Sequence, residues 1–245
     1  MEETSLGRCY VAFMDLVAFK DIVELDRETI MSGISMALEQ AENRTSFLNR
    51  SLGRKDVFRH QLTGDAVVLV LRTEGSDVSE IMELIETVRT VQKCLLMKFG
   101  LLFRGGIAVG DLTEFTSEGG RSFTGNGMSR ASRVLDPENP SFLVAIDDSI
   151  MSDVKDGMMR IYPQSVVERI LSSKTVRIDG HSYVRYLDED VSSETVAKCV
   201  LFYRSYNPYN EPKIISRLTR LIDMYNEQNP SNPLNRDMAS GSEEP

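Results

Sequence analysis

A few acids and bases carry the chemistry open to this chain. Asp15 closes the apolar run Cys9 to Met14 in RCYVAFMDLVAFK, and Asp65 follows Gly64 between the apolar segments VFRHQL and AVVLVL. An acid at the carboxyl end of a buried strand, beside the N–H groups of a helix start, suits a divalent metal carrying a phosphate. The same Asp serves equally as a plain helix cap. Asp65 has no helix to cap, although hairpin turns commonly contain Asp. As a pair they say more: two carboxylates converging at one sheet edge could bridge two divalent ions that clamp a triphosphate. Arg104 interrupts LLFRGGIAV just before Gly105-Gly106. There a guanidinium either reaches a phosphate lying close to the backbone or faces solvent. Asn126, Arg130 and Arg133 share one helical face, which is either aimed at a ligand or simply solvated. His60 and His181 sit in no motif and read as surface or structural residues.

The elements that must position these groups follow from hydrophobic period. Cys9 to Met14 is a buried strand, and helical spacing then runs from Phe19 to Leu48, with a break possible near Asp26. A hairpin turns at Thr63-Gly64-Asp65. A strong amphipathic helix covers Asp77 to Phe99 and ends at Gly100. LLFRGGIAVG is a strand, DLTEFTSEGGRSF a polar connection, NGMSRASRVL a helix and SFLVAI a further strand. Asp147-Asp148 open a short helix, another lies around Pro163 to Leu171, and KTVRI and SYVRYL pair through Asp179-Gly180. After the polar stretch DEDVSSET, the residues Ile214, Ile215, Leu218, Leu221, Ile222 and Tyr225 mark one helical face. From Asn229 the composition is that of disorder. The expected fold is α+β, a ferredoxin-like sandwich whose central, mainly antiparallel sheet is flanked by helices.

The chain has 245 residues and a formal net charge of −9. With a pI near 4.9, this argues against binding to duplex nucleic acid or an anionic membrane, and a polyphosphate would need metal ions or a few placed bases. Cys9, Cys94 and Cys199 are widely spaced and odd in number, hence expected as reduced core thiols. MEETSLGR does not read as a signal peptide, and no apolar run reaches membrane-spanning length, so a cytoplasmic protein is expected.

Four motifs together resemble class III nucleotide cyclase domains: Asp15 in VAFMDLVAFKDI, Gly64-Asp65 in LTGDAVVLV, RGGIAVG from Arg104, and TGNGMSRASRVL from Thr124. The resemblance covers residues 8–187, leaving 188–228 as a C-terminal helical extension and 229–245 as a tail. The compact opening is most similar to the pyrimidine cyclases of bacterial anti-phage (Pycsar) systems. The resemblance implies two Mg²⁺ or Mn²⁺ ions on Asp15, Asp65 and the Leu16 carbonyl. It also implies a phosphate cradle of amides from Val17, Ala18, Phe19 and Lys20, assisted by Arg104. Arg133 would stabilise charge on the transferred phosphoryl group. Sites would lie between two head-to-tail copies of a homodimer, and UTP or CTP would be converted to a cyclic messenger read by a separate effector. Ala18 replaces the family's usual Gly, and Ser129 stands where a ribose-orienting Asn is common, with Asn126 one turn earlier. Gln61 occupies the position of an adenine-reading Lys and offers a donor and an acceptor to a pyrimidine edge. Ser122 lies near the second base reader. Arg177 is the basic residue nearest a phosphate-binding Lys of the family. An adenylate or guanylate cyclase, or a degenerate nucleotide-binding dimerisation domain, are the alternative readings.

Overall fold

The computed structural model describes residues 2–17, 19–51, 58–63, 66–73, 78–118, 120–134, 142–205 and 212–240. Six elements come first: β1 (Glu2–Leu16), α1 (Phe19–Ser51), β2 (Phe58–Thr63), β3 (Ala66–Arg72), α2 (Val78–Phe99) and β4 (Phe103–Ser117). They form a β-α-β-β-α-β unit with neighbours in the order β2-β3-β1-β4, all antiparallel. That is the ferredoxin-like arrangement expected from the element order. The rest adds β5 (Gly120–Thr124), α3 (Asn126–Val134), β6 (Val144–Ile146), α4 (Asp148–Met159), α5 (Gln164–Lys174), β7 (Thr175–Ile178), β8 (His181–Val184), α6 (Ser193–Ser205) and α7 (Pro212–Gln228). β6 joins β4 in parallel, β8 and β7 complete that edge, and β5 pairs with the outer half of β4. The result is a mixed sheet flanked by helices.

Alternation along β1 sorts its side chains onto two faces. Tyr10, Ala12 and Met14 join the large core with Ile34 and Leu38 of α1 and Leu84, Ile85 and Val88 of α2. Cys9 and Val11 face the other way, where they form a smaller core with Val68, Val70, Ala108 and Ala131 of α3. Asp15 has the parity of Cys9 and Val11, so it lies on the α3 side of the sheet.

Glycines allow α3 to sit there. A Cβ on Gly110 would lie 2.3 Å from the Asn126 Oδ1 and 2.6 Å from the Gly127 nitrogen. On Gly105 it would lie 2.1 Å from the Phe13 carbonyl oxygen of β1. Part of the RGGIAVG signature is therefore explained by close backbone approach.

Four expectations give way. DLTEFTSEGGRSF is not a loose connection: β4 continues to Ser117 and turns back as β5. β1 begins at Glu2, since Glu2 to Ser5 pair with Thr116 to Thr113. The helix α6 was not anticipated, yet it buries Val196, Cys199, Val200 and Tyr203. The tail is ordered through Ser240, because the Asn226 side chain donates to the Leu234 carbonyl and accepts from its amide, and Ala239 is buried. Residues 241–245 lie outside the described ones. The cysteines are free and buried, as expected. No described helix is long and apolar enough to cross a membrane.

Candidate active site

Asp15 and Arg104 are register partners on β1 and β4. The Arg104 Nε and Nη2 both donate to Asp15 Oδ2, at 3.2 and 3.1 Å. Both side chains keep some access to solvent, 22% for Asp15 and 29% for Arg104. Asp15 is a strand residue four positions ahead of Phe19, where α1 starts, so the helix-cap reading does not describe it. Across its other edge Asp15 pairs with Ala66, the residue that follows Asp65 in the chain. Asp65 itself, Gly64 and Ala18 lie outside the described residues.

The expected phosphate cradle is altered at its first member. The Val17 amide donates to the Leu102 carbonyl at 2.9 Å, so it is committed within the fold. Leu16 ends β1 with its side chain buried. Phe19 and Lys20 occupy the first turn of α1, where backbone N–H groups have no intrahelical partner.

Gln61 also has an internal role. Its Oε1 accepts from the Phe123 amide at 2.9 Å and its Nε2 donates to Thr63 Oγ1 at 2.6 Å, tying β2 to β5. Both functions that would read a base are engaged. Ser122 is exposed on β5. Asn126 anchors α3, with its Oδ1 accepting from the Asp111 amide at 2.7 Å. Ser129, Arg130 and Arg133 are exposed on α3, and Arg130 lies 3.5 Å from Asp147. Arg177 donates to the Gly180 carbonyl in the β7–β8 hairpin. His181 is exposed, 3.7 Å from Asp148.

The structure thus brings Asp15, Arg104 and the seat of α3 to one sheet face. Two buried polar features went unread in the sequence. Glu114 on β4 is nearly buried between Arg59 of β2 and Arg121 of β5. Burial, followed by the charge of Arg121, holds the Arg59 pKa below its ordinary value. The other is Tyr203 of α6, whose hydroxyl accepts from the Leu102 amide at 2.9 Å. It therefore braces the start of β4 two residues before Arg104.

The donor chemistry fits a hard divalent cation. A carboxylate and backbone carbonyls are oxygen ligands of the kind Mg²⁺ and Mn²⁺ take. Among the described residues no group of three or more His, Cys, Asp or Glu side chains could hold a metal.

No family model matches the chain, and no curated protein matches it. Among solved structures, it is similar to the catalytic core of a rhodopsin-guanylyl cyclase with converted specificity, in complex with ATPalphaS. The identity is 14% and the TM-score 0.43, over 75% of this chain and 98% of that one. A guanylyl cyclase domain of the RhoGC fusion protein from the aquatic fungus Blastocladiella emersonii is similar at 14% identity and TM-score 0.44, over 76% and 98% of the two chains. A bacterial light-regulated adenylyl cyclase is similar at 13% identity and TM-score 0.40, over 62% and 46%. Likenesses at this level decide neither activity nor substrate.

Proposed function

We propose that the chain is a metal-dependent nucleotide cyclase, converting a nucleoside triphosphate to the 3′,5′-cyclic monophosphate and pyrophosphate. One observation supports this best: Asp15, one residue before the end of β1, stands opposite both Arg104 and the residue adjoining Asp65. Asp15, Asp65 and the Leu16 carbonyl would hold Mg²⁺ or Mn²⁺, two ions per site. When bound, these neutralise phosphate charge and lower the pKa of the attacking hydroxyl. The Phe19 and Lys20 amides at the start of α1 bind phosphate oxygens. The ribose 3′-oxygen forms its bond to the α-phosphorus as the bond to pyrophosphate breaks in line, so alignment and charge stabilisation supply the rate. Arg133, exposed on α3, comes from a second copy of the chain, which makes the active form a homodimer. Ala18, Asn126 and Ser129 line the nucleotide in this reading.

The finer form of the proposal is a pyrimidine cyclase, making cyclic UMP or cyclic CMP as a messenger in bacterial antiviral defence. It rests on the likeness of the opening motif to that group. Gln61 no longer favours it over a purine cyclase, because its amide is bonded to Phe123 and Thr63.

A second reading is a nucleotide-binding dimerisation domain without turnover. It is favoured by the Arg104 pairing with Asp15 and by the committed Val17 amide. Incubation with each of the four nucleoside triphosphates and Mn²⁺, with products identified by mass, separates these. Cyclic product is expected from the native chain and none from Asp15→Ala or Asp65→Ala, with the fold intact. Full turnover in either variant removes the two-metal assignment, and nucleotide binding without pyrophosphate release supports the second reading.

A further inference from the structure

The pair formed by Asp15 and Arg104 joins a short arm to a long one. Asp15 belongs to β1, which is paired on both edges, with β3 and with β4. Its carboxylate hangs on a single methylene, so the strand fixes where it sits. The Arg104 backbone is held as firmly. It faces Asp15 in register, and the next residue, Gly105, pairs with Met14 of β1 on one side and Val144 of β6 on the other. The Gly105 amide donates to the Leu143 carbonyl at 3.1 Å, and a Cβ on Gly105 would lie 2.1 Å from the Phe13 carbonyl oxygen. β4 therefore cannot slide along or lift from β1 here. The Arg104 side chain, with its several rotatable bonds, is the member of the pair that can move.

The contact uses only part of what the guanidinium offers. Nε and Nη2 both donate to one oxygen, Asp15 Oδ2, instead of one donor going to each carboxylate oxygen as in a two-pronged pair. The Arg104 side chain is 29% exposed, and an ion pair open to water is held weakly. An oxygen already shared by two N–H donors is a poor ligand for a divalent ion, and a guanidinium beside it repels that ion. Arg104 and a divalent cation are therefore rivals for Asp15. Phosphate resolves the rivalry, because its oxygens accept both prongs of the guanidinium and leave the carboxylate to the metal.

We propose that Arg104 is a counter-ion switch: it neutralises Asp15 while the site carries no divalent ion, and it turns to the phosphates of the nucleotide when one is present. This rests on the cyclase reading for the identity of the ion and the nucleotide, though not for the ion pair or the strands that fix it. Binding of metal and of polyphosphate is thereby coupled through one side chain, each favouring the Arg104 position that suits the other.

The test uses the full chain and two titrations that must move in opposite directions. Mn²⁺ alone, without nucleotide, is followed by loss of the free-ion electron paramagnetic resonance signal. Inorganic tripolyphosphate is titrated calorimetrically at saturating Mg²⁺. Arg104→Gln is expected to bind Mn²⁺ more tightly than the native chain, by about fivefold or more, and tripolyphosphate more weakly by a similar factor, the low end of a typical coupling between sites. Arg104→Lys is expected to fall between the two in both titrations, because an ammonium keeps the charge and loses the two-pronged geometry. A role confined to the fold would lower both affinities together. Either affinity of Arg104→Gln lying within about twofold of the native value, or shifting the other way, overturns the proposal. Thermal melting reports folding, and should Arg104→Gln unfold, Arg104→Lys decides by the same two signs. The two readings fail separately. Opposite shifts with no cyclic product from any of the four nucleoside triphosphates uphold the switch and remove the cyclase. Cyclic product from the native chain, with both affinities unchanged in Arg104→Gln, upholds the cyclase and removes the switch.

Discussion

Tyr203→Phe removes one oxygen atom and keeps the ring. That oxygen accepts the Leu102 amide at 2.9 Å, and the side chains of both residues are buried, at 2% and 1% exposure. No water replaces it without repacking, so a buried N–H is left without its acceptor. Such a loss costs about 1–3 kcal/mol, roughly a 5- to 150-fold change in the unfolding equilibrium. For a chain of this size each kcal/mol moves Tm by about 2–4 °C. The consequence reaches the site, because the Leu102 carbonyl receives the Val17 amide at 2.9 Å and Arg104 is two residues on. Urea unfolding of native and variant chains measures the cost, and amide hydrogen exchange at Leu102 and Val17 shows where it falls. Loss of at least 1 kcal/mol, with faster exchange at both amides, is expected. A change below about 0.5 kcal/mol, with exchange at Leu102 unaltered, would refute the claim that α6 braces the start of β4.

Two further outcomes follow from other contacts. Burial pushes the Glu86 and Asp188 carboxyls up, but cations outweigh it: Lys174, Arg89 and Arg44 at Glu86, and Lys93 and Arg89 at Asp188, leave both pKa values below the ordinary 4.5 and 3.8. Their contribution is therefore complete above pH 4.5 and is lost as pH falls through the lowered folded values; Glu86→Gln and Asp188→Asn should each flatten stability against pH in that acid range. Gly110→Ala places a methyl 2.3 Å from the Asn126 Oδ1 and 2.6 Å from the Gly127 nitrogen, so α3 must shift at a cost of about 1–3 kcal/mol, read as a lower urea midpoint with an unchanged m-value.

Strong local periodicity made the elements near the site legible. AVVLVL is the buried strand β3, and the stripe from Val78 to Leu96 is α2. Gly105 and Gly110 of RGGIAVG stand at close approaches of β1 and α3, which only the packed fold reveals. Polar strands were not legible. Glu2 to Ser5 and Thr113 to Ser117 show no apolar alternation, and pairing with each other and, for the latter, with β5 makes them strands. The order of Asn229 to Ser240 likewise depends on Asn226, which no compositional reading of the tail includes.

At the site, sequence alone determined which groups are present: an acid near a strand end, an arginine before paired glycines, and a Gln in the strand that leads to Gly64-Asp65. Only tertiary structure decided what each touches. Asp15 meets Arg104 from 89 residues away, and Gln61 of β2 binds Phe123 of β5. Local sequence determines backbone conformation through steric and solvation preferences within a few residues. The partners of a polar atom depend on register and packing between distant segments, which no local pattern contains.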